Sequence, residues 1–442
     1  MTPASHSALV HPADWRGGTL EMPGDKSISH RVAMLAALAS GESVIRGFLQ
    51  SEDCLNTLHG MERLGARTFL TDDGQLQVHG TGGKFLEPID PLDMGNSGTG
   101  MRLLAGLAAG LPITVELTGD ASLRTRPMNR IKEPLEKMGA KIELLGENGR
   151  PPVRIRGGGL KGVSYKLPMA SAQVKSCILL ATLFANGRTT ITEPLPTRDH
   201  TERIFRAAGL PVEVDGLRVR MEGFGAKGPD IKGREWAVPG DFSSAAYAFV
   251  AAAARPGASV TVKNVGLNPR RTALLNVLRR MKALVDVVEH PRAEEGAEPV
   301  GDVTVTGAAL HGTEVGGEEI PALIDELPLV AVLGALAEGS TVIRDAKELR
   351  VKESDRIAVM TANLRLMGVE VEEQPDGMIV RGPALLQAAA GLRSFGDHRI
   401  AMSLAVLAMY GPGPVCINNI SCVQTSYPSF WDHIRKLGAH VE

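Results

Sequence analysis

The chain has 442 residues, 43% of them hydrophobic and 22% charged, enough for about two or three domains with sizeable cores. Its 48 basic and 50 acidic residues leave a net charge of −2, which excludes the basic signature of a nucleic-acid or membrane-surface protein and makes any anion binding local. Cys54, Cys177, Cys416 and Cys422 form no CxxC pair and have no His at metal-ligand spacing; with no leader pattern and no apolar run near ~20 residues, this predicts reduced thiols in a cytoplasmic protein.

In chain order, "WRGGTLEMPGD" reads as a strand ending in a Pro-Gly turn. Then comes "GDKSISHRVAMLAALASGESVI", which runs from a polar opening through an Ala/Leu-rich stretch and a Gly turn to a β-branched segment. The pattern returns in "GNSGTGMRLLAGLAAGLPITV", "MASAQVKSCILLATLFANGRTTI", "PGDFSSAAYAFVAAAARPGASVTV", "IDELPLVAVLGALAEGSTVI" and "GDHRIAMSLAVLAMYGPGPVCI", roughly every 70 to 85 residues. In four copies one charge in the opening or first turn (Arg31, Arg102, Lys175, Arg399) is the last until past the Gly turn, and the runs after Asp241 and Glu326 are uncharged up to Arg255 and Glu338 at the edge of theirs. A helix apolar on all sides is buried. Amphipathic segments lie between the runs, among them "SEDCLNTLHGMERLGA", "RPMNRIKEPLEKMGAKI" and "SDRIAVMTANLRLMGVEV", and read as outer helices followed by strands.

The predicted fold is therefore inside-out α/β, barrel-like, with six βαβαββ units in two pseudo-threefold domains around buried helices. Residues 25–238 form the first domain. Residues 1–24 and 239–442 form the second, with a two-strand hinge near 23–25 and 238–241, where Pro-Gly pairs fall.

The openings carry the candidate chemistry. Lys26 stands at a helix start, where cations are disfavoured, and Ser27 and Arg31 share a face at i and i+4. A solvated Lys beside a Ser cap would account for this stretch alone; a bound phosphate or carboxylate would turn the same violation into a site. "GNSGTG" allows backbone N–H groups to approach an anion, or is a common structural turn. "SLRTRPMNR" places Arg124, Arg126 and Arg130 around Pro127, a favourable first helical residue. Ser171 and Gln173 add neutral donors, "TRDHTE" adds Arg198, and "GDHR" starts a helix with Arg399. "VKESDRI" sets Lys352 and Arg356 at i and i+4 around Glu353; such runs are often solvated faces. If the buried helices of each triplet run parallel, their N-termini converge and bring Lys26, Arg31, Arg126, Arg198, Lys352, Arg356 and Arg399 to one cleft. That much charge suits two anionic substrates side by side.

Taken in order, "GDKSISHR", "NSGTGMR", "TRPMNR", "SAQVKS", "TRDHTE", "RVKESDR" and "GDHRIAM" resemble the 5-enolpyruvylshikimate-3-phosphate synthase family over essentially the whole chain. The resemblance implies transfer of the enolpyruvyl group of phosphoenolpyruvate to the 5-hydroxyl of shikimate 3-phosphate, without metal or other cofactor. It places shikimate 3-phosphate on Lys26, Ser27, Arg31, Ser171, Gln173, Arg198, Asp325 and Lys352, and phosphoenolpyruvate on Lys26, Gly98, Arg126, Gln173, Arg356 and Arg399. Asp325 in "LIDELP" matches the family's base, with Glu353 or Lys26 as the acid; an ordinary Asp cap is the plain alternative for Asp325. One branch of the family has Lys where this chain has Thr425, so Thr425 is given no substrate role. Gly98 in place of Ala implies sensitivity to glyphosate, which occupies the phosphoenolpyruvate site.

UDP-N-acetylglucosamine enolpyruvyl transferase shares the architecture but lacks the "DKSxSxR" pattern, and no cysteine here sits in the basic Gly-rich loop that family uses. A non-catalytic anion- or RNA-end-binding protein would gain nothing from Asp325 and Glu353 among the cations. The expected partners are the two small substrates, with no nucleic acid and no membrane. No long exposed apolar stripe stands out, which predicts a monomer.

Overall fold

Five of the six apolar runs become helices capped by a residue of their own polar opening. The runs fold as α1 (Lys26–Leu38), α2 (Gly98–Gly110), α3 (Ala172–Thr182), α4 (Phe242–Ala253), α5 (Leu327–Leu336) and α6 (His398–Ala408). Asp25, Ser97, Ser171, Asp241 and Asp397 each accept an N–H of the first turn of α1, α2, α3, α4 and α6, whereas α5 has Pro328 in its first turn and no side-chain cap. Every residue of α4 is buried, as are Ile28 to Leu38 of α1, because neither helix offers a polar face. Close packing needs small residues: a β-carbon on Gly106 of α2 would lie 2.2 Å from the Cys177 carbonyl oxygen of α3.

This computed structural model describes residues 7–15, 17–292 and 297–442. Residues 1–6, Arg16 of the "WRGGTLEMPGD" segment and residues 293–296 lie outside them. Contacts group the chain into two units: a middle unit of Gly24–Pro239 with Arg292–Glu298, and a terminal unit of Met1–Pro23, Gly240–Pro291 and Pro299–Glu442. Arg292, Ala297 and Glu298, which the sequence gives no reason to separate from their surroundings, group with the middle unit.

The second repeat shows the plan. Strand Leu92–Asp93 leads into α2, Thr114–Thr118 leaves it, helix Asn129–Met138 follows, and strands Lys141–Gly146 and Arg150–Arg156 close the unit. Leu92–Asp93 pairs parallel with Thr114–Thr118, which pairs antiparallel with Arg150–Arg156, itself antiparallel to Lys141–Gly146. Six small sheets result, five of four strands and one of three, and none closes into a barrel among the described residues. The layering is inverted as expected, with helices inside.

Two strands exchange places. Gly18–Glu21 leads into α1 yet pairs with Ser259–Gly266, the strand after α4, while Glu235–Ala237 leads into α4 yet pairs with Ser40–Arg46, the strand after α1. Gly24 at the first crossing has to be glycine, since a β-carbon there would meet the Gly47 carbonyl oxygen at 1.7 Å. The last repeat lacks a strand of its own, and Ser7–Val10 supplies it by pairing antiparallel with Val415–Asn418.

Two local expectations are corrected. Pro127 lies ahead of its helix, which starts at Asn129, because the chain first makes a short 3₁₀ turn at Leu123–Thr125. Lys352 and Arg356 do not share a helical face: Lys352 is extended at the end of the 3₁₀ turn Lys347–Val351, and Arg356 opens helix Arg356–Leu366. No helix among the described residues is long and apolar enough to cross a membrane.

Candidate active site

In the middle unit the first turns of α1, α2 and α3 meet. Arg31 donates from Nη1 to the Ser27 carbonyl at 2.7 Å, from Nη2 to Ser176 Oγ at 2.8 Å and from Nε to Thr201 Oγ1 at 2.7 Å. Burial pulls its guanidinium down to about 10, with Glu202 and Asp25 opposing and Arg198 reinforcing. Lys26 Nζ lies 3.0 Å from Asp53 Oδ2, which offsets the penalty of a cation at a helix start. Between α2 and α3, Arg102 donates to Gln173 Oε1 at 2.6 Å and Gln173 Nε2 donates to Thr99 Oγ1 at 2.9 Å. Arg126 donates to Asn96 Oδ1, and a β-carbon on Gly98 would come within 3.0 Å of Arg126 Nη1 and 3.1 Å of Arg102 Nη1.

Beneath these groups lies an ionic layer. Lys175, fully buried, places Nζ 3.0 Å from Glu193 Oε2 and 2.7 Å from Glu202 Oε1. Thr197 donates to Glu193, so the segment carrying Arg198 is tied at both ends to one buried cation. Glu298 accepts from His200 Nδ1 at 2.5 Å and lies 4.0 Å from Arg203. Burial pushes the Glu298 carboxyl up, but His200 and Arg203 outweigh it and hold it below the ordinary range.

The terminal unit builds a second cluster at the starts of α4, α5 and α6. Asp325 has Arg356 Nη1 at 3.4 Å, Lys352 Nζ at 3.8 Å and Arg399 Nη2 at 3.8 Å around its carboxylate. Arg356 is clamped by Asp397, Nε to Oδ2 at 2.8 Å and Nη2 to Oδ1 at 3.2 Å, and Nη2 also meets Glu353 Oε2 at 2.6 Å. Burial works against the Arg356 charge, yet Asp397 and Glu353 raise it above the usual guanidinium range. Burial lowers the Lys352 ammonium, with Asp325 opposing and Arg356 assisting. Arg399 donates to the Asp325 carbonyl at 3.0 Å and to Glu326 Oε1 at 3.4 Å, while Ser243 donates to the same Glu326 oxygen.

The candidates thus fall into two sets: Lys26, Ser27, Arg31, Gly98, Arg126, Ser171, Gln173 and Arg198 in the middle unit, and Asp325, Lys352, Glu353, Arg356 and Arg399 in the terminal unit. The sequence reading misses the residues that hold them. Asp397 doubles as a cap, Arg102, Lys175 and Glu326 are lone charges in or beside apolar runs, and Glu193 and Glu202 are buried carboxylates further along the chain. A lone charge in an otherwise uncharged helix is the signal that points to a buried pair. Thr425 makes a local bond, donating to the Cys422 carbonyl at 2.7 Å.

The sequence profile described as EPSP synthase (3-phosphoshikimate 1-carboxyvinyltransferase) matches residues 13–434. A 3-phosphoshikimate 1-carboxyvinyltransferase of Akkermansia muciniphila is 51% identical over 93% of this chain and 95% of its own length. That of Methylococcus capsulatus is 46% identical over 96% of each. The solved EPSP synthase from Acinetobacter baumannii superposes with a TM-score of 0.85 at 41% identity, covering 99% of both chains. The enolpyruvyl transferase NikO from Streptomyces tendae reaches 0.79 over 100% of this chain at 18% identity, a likeness of fold alone. Matched along nearly its whole length by profile, relatives and structure alike, the chain belongs to the EPSP synthase (3-phosphoshikimate 1-carboxyvinyltransferase) family.

Proposed function

We propose that the two cation clusters hold shikimate 3-phosphate and phosphoenolpyruvate while the enolpyruvyl group passes to the sugar-like ring's 5-hydroxyl and phosphate departs. The supporting observation is the placing of one carboxylate, Asp325, within 4 Å of Lys352, Arg356 and Arg399. A cluster built for anion binding alone would be weakened by that carboxylate, whereas a base beside bound anions needs it.

Shikimate 3-phosphate is held by Lys26, Ser27, Arg31, Ser171, Gln173, Arg198, Asp325 and Lys352, and phosphoenolpyruvate by Lys26, Gly98, Arg126, Gln173, Arg356 and Arg399. Asp325 takes the 5-hydroxyl proton as the oxygen bonds to C2 of phosphoenolpyruvate, and Glu353 or Lys26 gives a proton to the methylene carbon. In the resulting tetrahedral intermediate the roles reverse: the group that protonated the methylene takes a proton back from the new methyl group as the C2–O bond to phosphate breaks, and Asp325 returns its proton to the leaving phosphate. The alkene is regenerated and phosphate departs. Arg126, Arg356 and Arg399 stabilise the carboxylate and phosphate charge from fixed positions. The catalytic step passes through none of Cys54, Cys177 and Cys422: burial pushes the thiols of Cys54 and Cys177 well above their ordinary range and that of Cys422 up to about 12.

Phosphate release measured on mixing both substrates tests the reading, with each substrate alone as control. Release that depends on both, and is lost in Asp325→Asn, is expected; release from phosphoenolpyruvate alone, or full activity in that variant, overturns it.

A further inference from the structure

We propose a transition-metal site made of His11, His440 and Glu442, outside the substrate clusters, that staples the end of strand Ser7–Val10 to segment 440–442 of the terminal unit. The backbone builds it. Leu9 N donates to the Glu442 carbonyl, His11 N to the His440 carbonyl and Glu442 N to the Leu9 carbonyl, at 2.9, 2.9 and 3.0 Å. In this antiparallel pairing Val10 stands opposite Val441. Side chains alternate, so Val10 and Val441 go into the core, at 0% and 9% exposure, and His11, His440 and Glu442 share the outer face.

The three donor atoms converge. Glu442 Oε1 lies 3.2 Å from His11 Nε2 and 3.7 Å from His440 Nδ1, all three donors fall within 4.8 Å of one another, and the imidazole rings are 4.6 Å apart. A zinc ion held at its usual bond lengths sets neighbouring tetrahedral ligands about 3.3 Å apart, so small side-chain adjustments suffice. His11 Nε2 is buried and has Glu442 Oε1 as its close polar neighbour. A ring nitrogen facing a carboxylate and a second imidazole is a donor arrangement that a divalent cation can occupy. Two imidazoles and one carboxylate select Zn²⁺ or a similar borderline divalent ion over Mg²⁺ or Ca²⁺, with water completing the shell. Sequence spacing hides the set, because His11 and His440 stand at opposite ends of the chain.

Zn²⁺ titrated by calorimetry into full-length protein without a polyhistidine tag tests the proposal. Saturable binding of one ion per chain is expected, weakened at least about tenfold in both His440→Ala and Glu442→Gln, each an exposed position whose change leaves the fold intact. Thermal unfolding of the parent should rise by about 2 to 4 °C with excess Zn²⁺, and that rise should vanish in the variants. Absence of saturable binding, or equal affinity in parent and both variants, overturns the site. Phosphate release from the two substrates should be unchanged in both variants, so failure here leaves the proposed activity standing.

Discussion

Asp397 carries two loads, and separating them is the sharpest available check on how the terminal cluster is held. Its carboxylate accepts the Arg399 N–H at 2.9 Å as the cap of α6 and clamps the buried Arg356 through Nε and Nη2. Exposure is 0% for Asp397 and 1% for Arg356, so water cannot replace the lost partner. Asp397→Ala removes the cap, worth about 1 kcal/mol, and leaves a buried guanidinium short of its main counter-charge, about 3 to 5 kcal/mol. Coupling between the two makes the sum inexact, and about 4 to 6 kcal/mol in total is expected. Asp397→Asn keeps a competent cap and the side-chain volume. Because Glu353 at 2.6 Å and Asp325 at 3.4 Å still face Arg356, this variant should lose only about 1.5 to 3 kcal/mol. Arg356 then turns toward Glu353, which should raise KM for phosphoenolpyruvate about tenfold while leaving that for shikimate 3-phosphate nearly unchanged. Urea unfolding and steady-state kinetics on the three proteins decide the matter. An Asp397→Ala variant within about 1 kcal/mol of the parent would refute the reasoning, as would equal losses in both variants.

Lys175→Met strands Glu193 and Glu202 in the core and should destabilise by about 3 to 5 kcal/mol, with much of the loss recovered by adding Glu193→Gln and Glu202→Gln; urea midpoints check both steps. His30 is held well below the ordinary imidazole range by burial, then by Lys26 and Arg31, so below about pH 6.5 the unfolded chain takes up a proton that the folded one refuses. Stability should therefore fall as pH drops, by about 1.4 kcal/mol per unit per proton, and His30→Gln should flatten that slope in denaturation series from pH 7 to 5. Arg126→Ala and Arg399→Ala should each weaken phosphoenolpyruvate roughly ten- to a hundredfold and shikimate 3-phosphate far less, as read by calorimetry. Gly98→Ala presses on Arg126 and Arg102 and should raise the inhibition constant of glyphosate more than KM for phosphoenolpyruvate, in inhibition kinetics on both proteins.

Much of this protein was readable without coordinates because its signals are local and repeated. An uncharged run of a dozen residues has no polar face to show to water, so burial of α1 to α6 follows from composition, and the Asp or Ser ahead of five of them caps where it stands. The seven ordered motifs name the residues that gather at those helix starts. What sequence could not decide is which distant charges meet. Lys175 with Glu193 and Glu202, Asp397 with Arg356, and Glu298 with His200 are pairs separated by 18 to 98 positions, and only packing brings them together. The same holds for the exchanged strands Gly18–Glu21 and Glu235–Ala237, whose hydrogen bonds could be satisfied equally well, as far as pattern goes, beside their own helices. His11 and His440 are the extreme case. Strand pairing is non-local, and alternation along two paired strands settles which side chains share a face only once the register is fixed.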